Sequence, residues 1–271
     1  MAKPSIILMG AKPGSVVALE ILLRRGWNVR AVVFSEKSKA VWLPGPYLDQ
    51  RAKAAGIQVF QKQADLPKVL QVDFVVSYMF RYLVTAETRA LARRGALNFH
   101  AGPLPKYAGW AFYNLAILEN ATEYGCTCHY MDNGFDTGPI LKVRRFPIDA
   151  AIETATSLER KAQIEMLKLF REFCELAEAQ EVLPQQPQNP KTIRYLTQAD
   201  FDALKQIPAT ADSDTVQRYA RAFWFPPYDC AFVKMGTNKV QVVPDIVKEG
   251  LAKLTHSGDL EELRRAAQLD D

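Results

Sequence analysis

Two short segments of this 271-residue chain carry polar side chains in an order that could manage a proton and a developing negative charge. The first is Asn98-Phe99-His100, at the end of an apolar run and ahead of the loop Ala101-Gly102-Pro103-Leu104-Pro105-Lys106-Tyr107-Ala108-Gly109. Residues two apart on a strand project to one side, so Asn98 and His100 converge while Phe99 turns to the opposite face. The second is Met131-Asp132-Asn133-Gly134-Phe135-Asp136-Thr137-Gly138, a turn-rich stretch between two apolar runs. It supplies two carboxylates, one of which could reach the histidine. An amide N–H stabilises an oxyanion, an imidazole takes up a proton and a carboxylate orients or charges the imidazole, so an Asn/His/Asp set fits acyl transfer.

Of the three histidines, only His100 lies at a strand-to-loop junction rich in Gly and Pro, which makes it the main general-base candidate. His129, inside the alternating run GCTCHYM, reads as a packing or hydrogen-bonding histidine, and His256 as a solvated one. Cys126 and Cys128 alternate onto one face of that apolar strand and read as buried thiols rather than nucleophiles. Together with His129 they form a His/Cys cluster without ligands at a second site, so no metal is expected. Gly10-Ala11-Lys12-Pro13-Gly14 lacks the G-x-G-x-x-G spacing of a nicotinamide turn, although its amides and Lys12 could face a phosphate.

The elements that must position these groups follow from the hydrophobic pattern. Residues 5–9, 29–34, 57–60, 73–77 and 96–99 are short apolar runs, and helix-like spacing at 16–23, before Gly56 and at 86–94 separates them. A Pro/Gly-rich loop at 43–46 follows the second run. The alternation predicts an α/β fold, a Rossmann-like doubly wound, mostly parallel sheet. Ligands bind such sheets at strand ends, where Asn98 and His100 lie. Residues 124–131 and 139–146 are two more strand-like runs that could pair as a hairpin-like extension, and 153–179 is one long amphipathic helix. The expected domains are a catalytic domain at 1–182, a Pro/Gln/Asn linker at 183–190 and a small C-terminal α+β module at 191–271. The module holds a short helix at 212–222, the cluster FWFPPYD, a hairpin around Gly236 and Asn238, and a charged helix or tail at 259–271.

Composition narrows the function classes. Hydrophobic residues make up 48% and charged residues 24%, with no run near the roughly 20 apolar residues of a membrane helix. The chain passes directly into an apolar strand without a secretory leader, and its four cysteines have no paired spacing, so a cytoplasmic protein with reduced thiols is expected. A net charge of +4 with scattered basic residues argues against nucleic acid as a partner. A homodimer could form through the long helix or the C-terminal module, although an apolar helix stripe more often packs within its own chain.

Asn98-Phe99-His100, GPLPKYAG and GCTCHYMDNGFDTGPIL together resemble the folate-dependent formyltransferases, which include glycinamide ribonucleotide, methionyl-tRNA and sugar N-formyltransferases. Order and spacing agree over about residues 70–148, with residues 5–33 as a general Rossmann-like start. The resemblance implies 10-formyltetrahydrofolate as donor and Asn98, His100 and Asp136 as the catalytic set. It implies folate contacts, largely from backbone, at Met79, Phe80, Arg81, Leu83, Leu104, Pro105, Asp132 and Gly134. Acceptor contacts are implied at Lys12, Lys106, Tyr107, Trp110 and Trp224.

About eighty residues follow the linker, so the larger tRNA-binding domain of the methionyl-tRNA enzymes is expected to be absent, and FWFPPY resembles the C-terminal region of bacterial sugar N-formyltransferases. A nucleotide-linked amino-dideoxy sugar is therefore the favoured acceptor, in O-antigen or lipopolysaccharide biosynthesis. Methionyl-tRNA and lipid-A-modifying relatives usually carry arginine before the last glycine of the proline loop, where this chain has Ala108, with Lys106 nearby. The alternatives are a formyltetrahydrofolate hydrolase, a transferase to methionyl-tRNA or a purine precursor, and a non-catalytic folate-binding protein. FWFPPY either touches ligand or packs the module against the main domain.

Overall fold

Five of the apolar runs line up as parallel strands, with residues 6–10 and 74–78 buried on both faces at the centre of the sheet. The computed structural model describes residues 3–38, 45–193 and 195–251. The strands are β1 (Ser5–Gly10), β2 (Asn28–Val33), β3 (Val59–Phe60), β4 (Val72–Tyr78) and β5 (Ala92–His100), with helices α1 (Pro13–Arg24), α2 (Leu48–Ala54) and α3 (Ala86–Arg89) between them. After β5 come a two-residue strand β6 (Ala108–Gly109), helix α4 (Phe112–Leu118), and the antiparallel pair β7 (Glu123–Tyr130) and β8 (Ile140–Pro147). The main sheet has seven strands in the order β3-β2-β1-β4-β5-β7-β8, parallel from β3 to β5 and antiparallel beyond. This is the Rossmann-like α/β architecture expected, with β7 and β8 as its extension.

Alternation sorts the side chains of β4 and β5. Phe74, Val76, Tyr78, Leu97 and Phe99 face helix α5 (Ala155–Ala179), while Val75, Ala96 and the polar Ser77, Asn98 and His100 fall on the other parity. Helix α5 starts in a capping box in which Thr154 and Ser157 exchange side-chain and backbone hydrogen bonds. Its apolar positions Leu158, Met166, Leu169, Phe170 and Phe173 are buried within the chain and form part of the core. Phe170 is the hub, with Phe99 at 5.1 Å, Tyr78 at 5.7 Å and Phe173 at 5.8 Å between ring centroids.

Three boundaries differ from the sequence expectation. The helix expected at 86–94 is a single turn, and β5 begins at Ala92, because Arg93 and Arg94 alternate as strand residues. Arg93 reaches Asp73 at 3.0 Å, while Arg94 lies 4.7 Å from the Phe74 ring and donates to the last carbonyls of α5 at Ala177 and Gln180. Helix α4 was not anticipated. The expected linker is pinned, with Leu183 buried and Gln186 bridging Ile140.

Beyond it lie β9 (Tyr195–Leu196), α6 (Gln198–Leu204), α7 (Ser213–Ala222) and the hairpin β10 (Phe232–Met235) and β11 (Asn238–Gln241), turned at Gly236 with φ 62°. These match the expected short helix and hairpin. Asn114 of α4 donates to the Ala222 carbonyl at 2.6 Å, and the Thr156 hydroxyl of α5 donates to the Trp224 carbonyl at 2.8 Å, so part of FWFPPY does pack the module onto the main domain. The first half of the 43–46 loop, His256 and the 259–271 segment lie outside the described residues.

Phe170→Ala is expected to cost about 3–5 kcal/mol of unfolding free energy in urea, the usual cost of emptying a large aromatic site. Thr154→Ala, which removes a single cap, is expected to cost about 1 kcal/mol. Equal losses would contradict the role of Phe170 as the hub under β5.

Candidate active site

Four side chains from three elements meet at the carboxyl end of β5. Asn98 and His100 stand on β5, His129 lies directly opposite Asn98 on β7, and Asp136 comes from the loop between β7 and β8. The Nδ1 of His100 is 3.5 Å from Asp136 Oδ2, and the Nε2 of His129 is 3.5 Å from Asp136 Oδ1. The Asn98 amide donates to Asp136 Oδ1 at 3.4 Å, and the Gly109 N–H donates to Oδ2 at 3.0 Å. The sequence expectation that Asn98, His100 and one of the two loop carboxylates converge is met.

Backbone geometry delivers Asp136. The residue adopts φ 58°, a left-handed conformation that aspartate tolerates better than most residues. Gln188 donates to the carbonyls of Asp136 at 2.8 Å and Gly138 at 2.7 Å, so the pinned linker holds the loop. Gly138 has no alternative, because a Cβ there would lie 2.0 Å from the Tyr130 carbonyl oxygen. Asp132, the other carboxylate, accepts from Gly134 N–H at 2.9 Å and Thr137 hydroxyl at 2.6 Å, and so shapes the loop.

Backbone carbonyls also fix the imidazole tautomers. A carbonyl only accepts, so the Nε2–H of His100 donates to Tyr107 at 2.7 Å, which in the neutral ring leaves Nδ1 with its lone pair toward Asp136. Likewise the Nδ1–H of His129 donates to the Tyr130 carbonyl at 2.8 Å. Burial pushes the Asp136 carboxyl upward, but the charged forms of the facing His100 and His129, each with an N–H turned toward it, and the Gly109 N–H outweigh burial and hold the group well below the usual carboxylate range. The loop after β5 is anchored from β7, where Thr127 Oγ accepts from the Leu104 N–H at 3.0 Å and donates to the Gly102 carbonyl at 2.8 Å.

The expected acceptor residues scatter. Tyr107 buries its ring and gives the site its carbonyl, while Lys106 pairs with Glu119 at 2.9 Å. Trp110 is exposed beside Phe201. Lys12 pairs with Glu159 at 3.1 Å and lies 5.5 Å from the Phe225 ring. Trp224 lines a separate cleft of about 360 Å³ with Thr156, Ser157, Arg160 and Gln163 on α5, the side of the sheet away from Asn98 and His100.

The expected folate segments face each other. Met79 (φ 51°), Phe80, Arg81 and Leu83 follow β4, and Arg89 ties that segment to the aspartate loop by donating to the carbonyls of Val84 and Asp132 and to Asn133 Oδ1. Leu104 is buried and Pro105 half-buried in the loop after β5, and Gly134 is exposed at the tip of the aspartate loop.

Sequence reasoning missed Arg89, Gln188 and the place of His129 in the cluster. The parity of Cys126 and Cys128 carries the signal for His129, since it sends Thr127 and His129 to the opposite, polar face. All four cysteines are buried free thiols, as expected, and burial pushes Cys126 and Cys174 up to about 12. Among the described residues no group of three or more His, Cys, Asp or Glu side chains is placed to hold a metal ion, and no helix is long and apolar enough to cross a membrane.

The family described as formyl transferase matches residues 29–172. The chain belongs to this formyltransferase family. It is 30% identical over 181 residues to a GDP-perosamine N-formyltransferase of Brucella melitensis, covering 64% of this chain and 65% of that one. It is 31% identical over 216 residues to a methionyl-tRNA formyltransferase of Acidithiobacillus ferrooxidans, covering 74% and 67%. The match to the Brucella relative thus leaves about a third of that protein's length uncovered. In fold it is similar to an N-formyltransferase from Helicobacter canadensis solved with folinic acid and dTDP-3-aminofucose, with a TM-score of 0.68, 23% identity and coverage of 89% and 86%.

The depressed Asp136 carboxyl has a stability signature. Such a group contributes stability above its unfolded value of about 3.9, and the contribution disappears as pH falls through the lower, folded value. Between about pH 4 and pH 2 the unfolding free energy of the wild type is expected to drop more steeply than that of Asp136→Asn. Parallel curves would contradict the assigned environment.

Proposed function

We propose that the chain transfers the formyl group of 10-formyltetrahydrofolate to the amine of a nucleotide-linked amino-dideoxy sugar, with Asn98, His100 and Asp136 as the catalytic residues. The observation that carries the reading is the convergence of an amide donor, an imidazole lone pair and a carboxylate within 3.5 Å at one strand end. The amine nitrogen attacks the formyl carbon, and the oxyanion that forms is stabilised by the Asn98 N–H. The ammonium proton passes to His100 Nδ1, where Asp136 offsets the imidazolium charge. His100 then returns that proton to the folate nitrogen as its bond to the formyl carbon breaks, giving a formamide and tetrahydrofolate. No acyl-enzyme is formed, in keeping with thiols that burial keeps protonated.

The backbone of residues 79–83 and 132–136 would bind the pterin, whose edge alternates donors and acceptors that main-chain groups match. Residues 1–182 serve as the catalytic domain and 191–271 as the C-terminal module, whose described residues pack beside it. The sugar assignment is supported by FWFPPY, by the GDP-perosamine relative and by the dTDP-3-aminofucose held in the Helicobacter structure. The methionyl-tRNA relative keeps a second acceptor in view.

A coupled assay with formyl-tetrahydrofolate and a panel of nucleotide-linked 3-amino and 4-amino dideoxy sugars, with methionyl-tRNA included, is expected to add one formyl group to a sugar. Asn98→Ala is expected to lower kcat by about 10²- to 10³-fold with little change in the folate KM. Formylated methionyl-tRNA would reassign the acceptor, and tetrahydrofolate with no modified amine would indicate a hydrolase. No folate consumption would overturn the function.

A further inference from the structure

His129 belongs to the cluster without a place in the transfer steps above, and the bonds around it have only one possible direction. The Tyr130 carbonyl accepts from Nδ1–H, so Nε2 of the neutral ring must accept, and the Asn98 Nδ2–H donates to it at 3.0 Å. On its other side, Asn98 Oδ1 accepts from the Ser77 hydroxyl at 2.7 Å. Three neighbouring strands supply this chain of bonds, with Ser77 beside Asn98 on β4 and His129 opposite it on β7.

The two flanking partners are not equivalent. A serine hydroxyl rotates to donate or accept, so Ser77 tolerates either orientation of the amide. The His129 Nε2 lone pair accepts only, and it rejects the flipped amide, which would set oxygen against it. Asp136 Oδ1 favours the same sense, but at 3.4 Å, a longer and weaker contact. That is the contact an oxyanion at Nδ2 would replace, leaving His129 as the partner that rejects the flipped amide when charge develops, with Ser77 still bonded to Oδ1.

We infer that His129 is a positioning residue that fixes the Asn98 amide with its N–H groups toward the oxyanion. The inference rests on the formyl-transfer reading for its kinetic consequence, not for its geometry. His129 is only 2% exposed, so no direct contact with substrate is required of it.

The acceptor role separates from a proton-carrying role by substitution. His129→Gln restores a neutral oxygen acceptor and is expected to keep kcat within a few-fold. His129→Leu is expected to lose about 10- to 100-fold in kcat with the folate KM unchanged, less than full removal of an oxyanion donor. Loss of kcat in both variants would overturn the inference in favour of a titrating role, and retention in both would reduce His129 to packing. If the Leu variant does not fold, a loss beyond tenfold in His129→Gln alone overturns it.

A readout independent of activity is the Asn98 side-chain NH₂ in ¹⁵N-labelled protein. One slowly exchanging proton is expected in the wild type and in His129→Gln, and its absence from the wild type would overturn the inference. A wild type that consumes no formyl-folate while showing that proton would sink the function and leave the positioning role standing.

Discussion

A carboxylate removed from water is tolerable only where other groups replace its solvation, and Asp136 is such a carboxylate. Its two oxygens accept from the Gly109 N–H and the Asn98 amide, and each faces an imidazole nitrogen at 3.5 Å. These partners arrive from three separate pieces of chain, β5, β6 and β7, and Asp136 itself from a fourth, the loop between β7 and β8. Moving any one of them leaves a buried charge short of a partner, which is far costlier than losing one surface contact. The site is therefore rigid because the charge at its centre demands it.

The sheet makes that convergence possible by changing direction. From β3 to β5 every strand is parallel, and then β7 runs back against β5. An antiparallel neighbour puts residues directly opposite each other, so His129 falls beside Asn98 and Thr127 beside His100. The opposite face is closed by Phe99, Tyr78 and the α5 aromatics, which hold β5 flat against the helix. The polar and apolar halves of one strand thus do different jobs with alternate residues.

Much of this was legible because it is local. Parity placed Asn98 and His100 together and Phe99 away from them, and the apolar stripe from 158 to 177 gave α5 to within two residues of its start. The short helix before β5 was overestimated because Arg93 and Arg94 look helical until their partners, Asp73 and the end of α5, are in place. The Pro, Gln and Asn content of 183–190 reads only as a linker. Gln188 instead spends its amide on the loop that carries Asp136, a contact across 52 residues that composition does not encode. His129 was hidden for a similar reason. Its run reads as that of a packing or hydrogen-bonding histidine, and the partner that decides between the two sits 31 residues away on another strand.

Everything assigned to His100 depends on which of its nitrogens carries the resting proton. Because the chain has only three histidines, ¹⁵N-labelled imidazoles can be resolved individually by long-range ¹H–¹⁵N correlation in alkaline buffer. The expected result is His100 protonated on Nε2, donating to Tyr107, with Nδ1 free to take the proton of the attacking amine beside Asp136. A resting proton on His100 Nδ1 would mean that the imidazole already donates to the carboxylate, and the proton path through that nitrogen would be wrong.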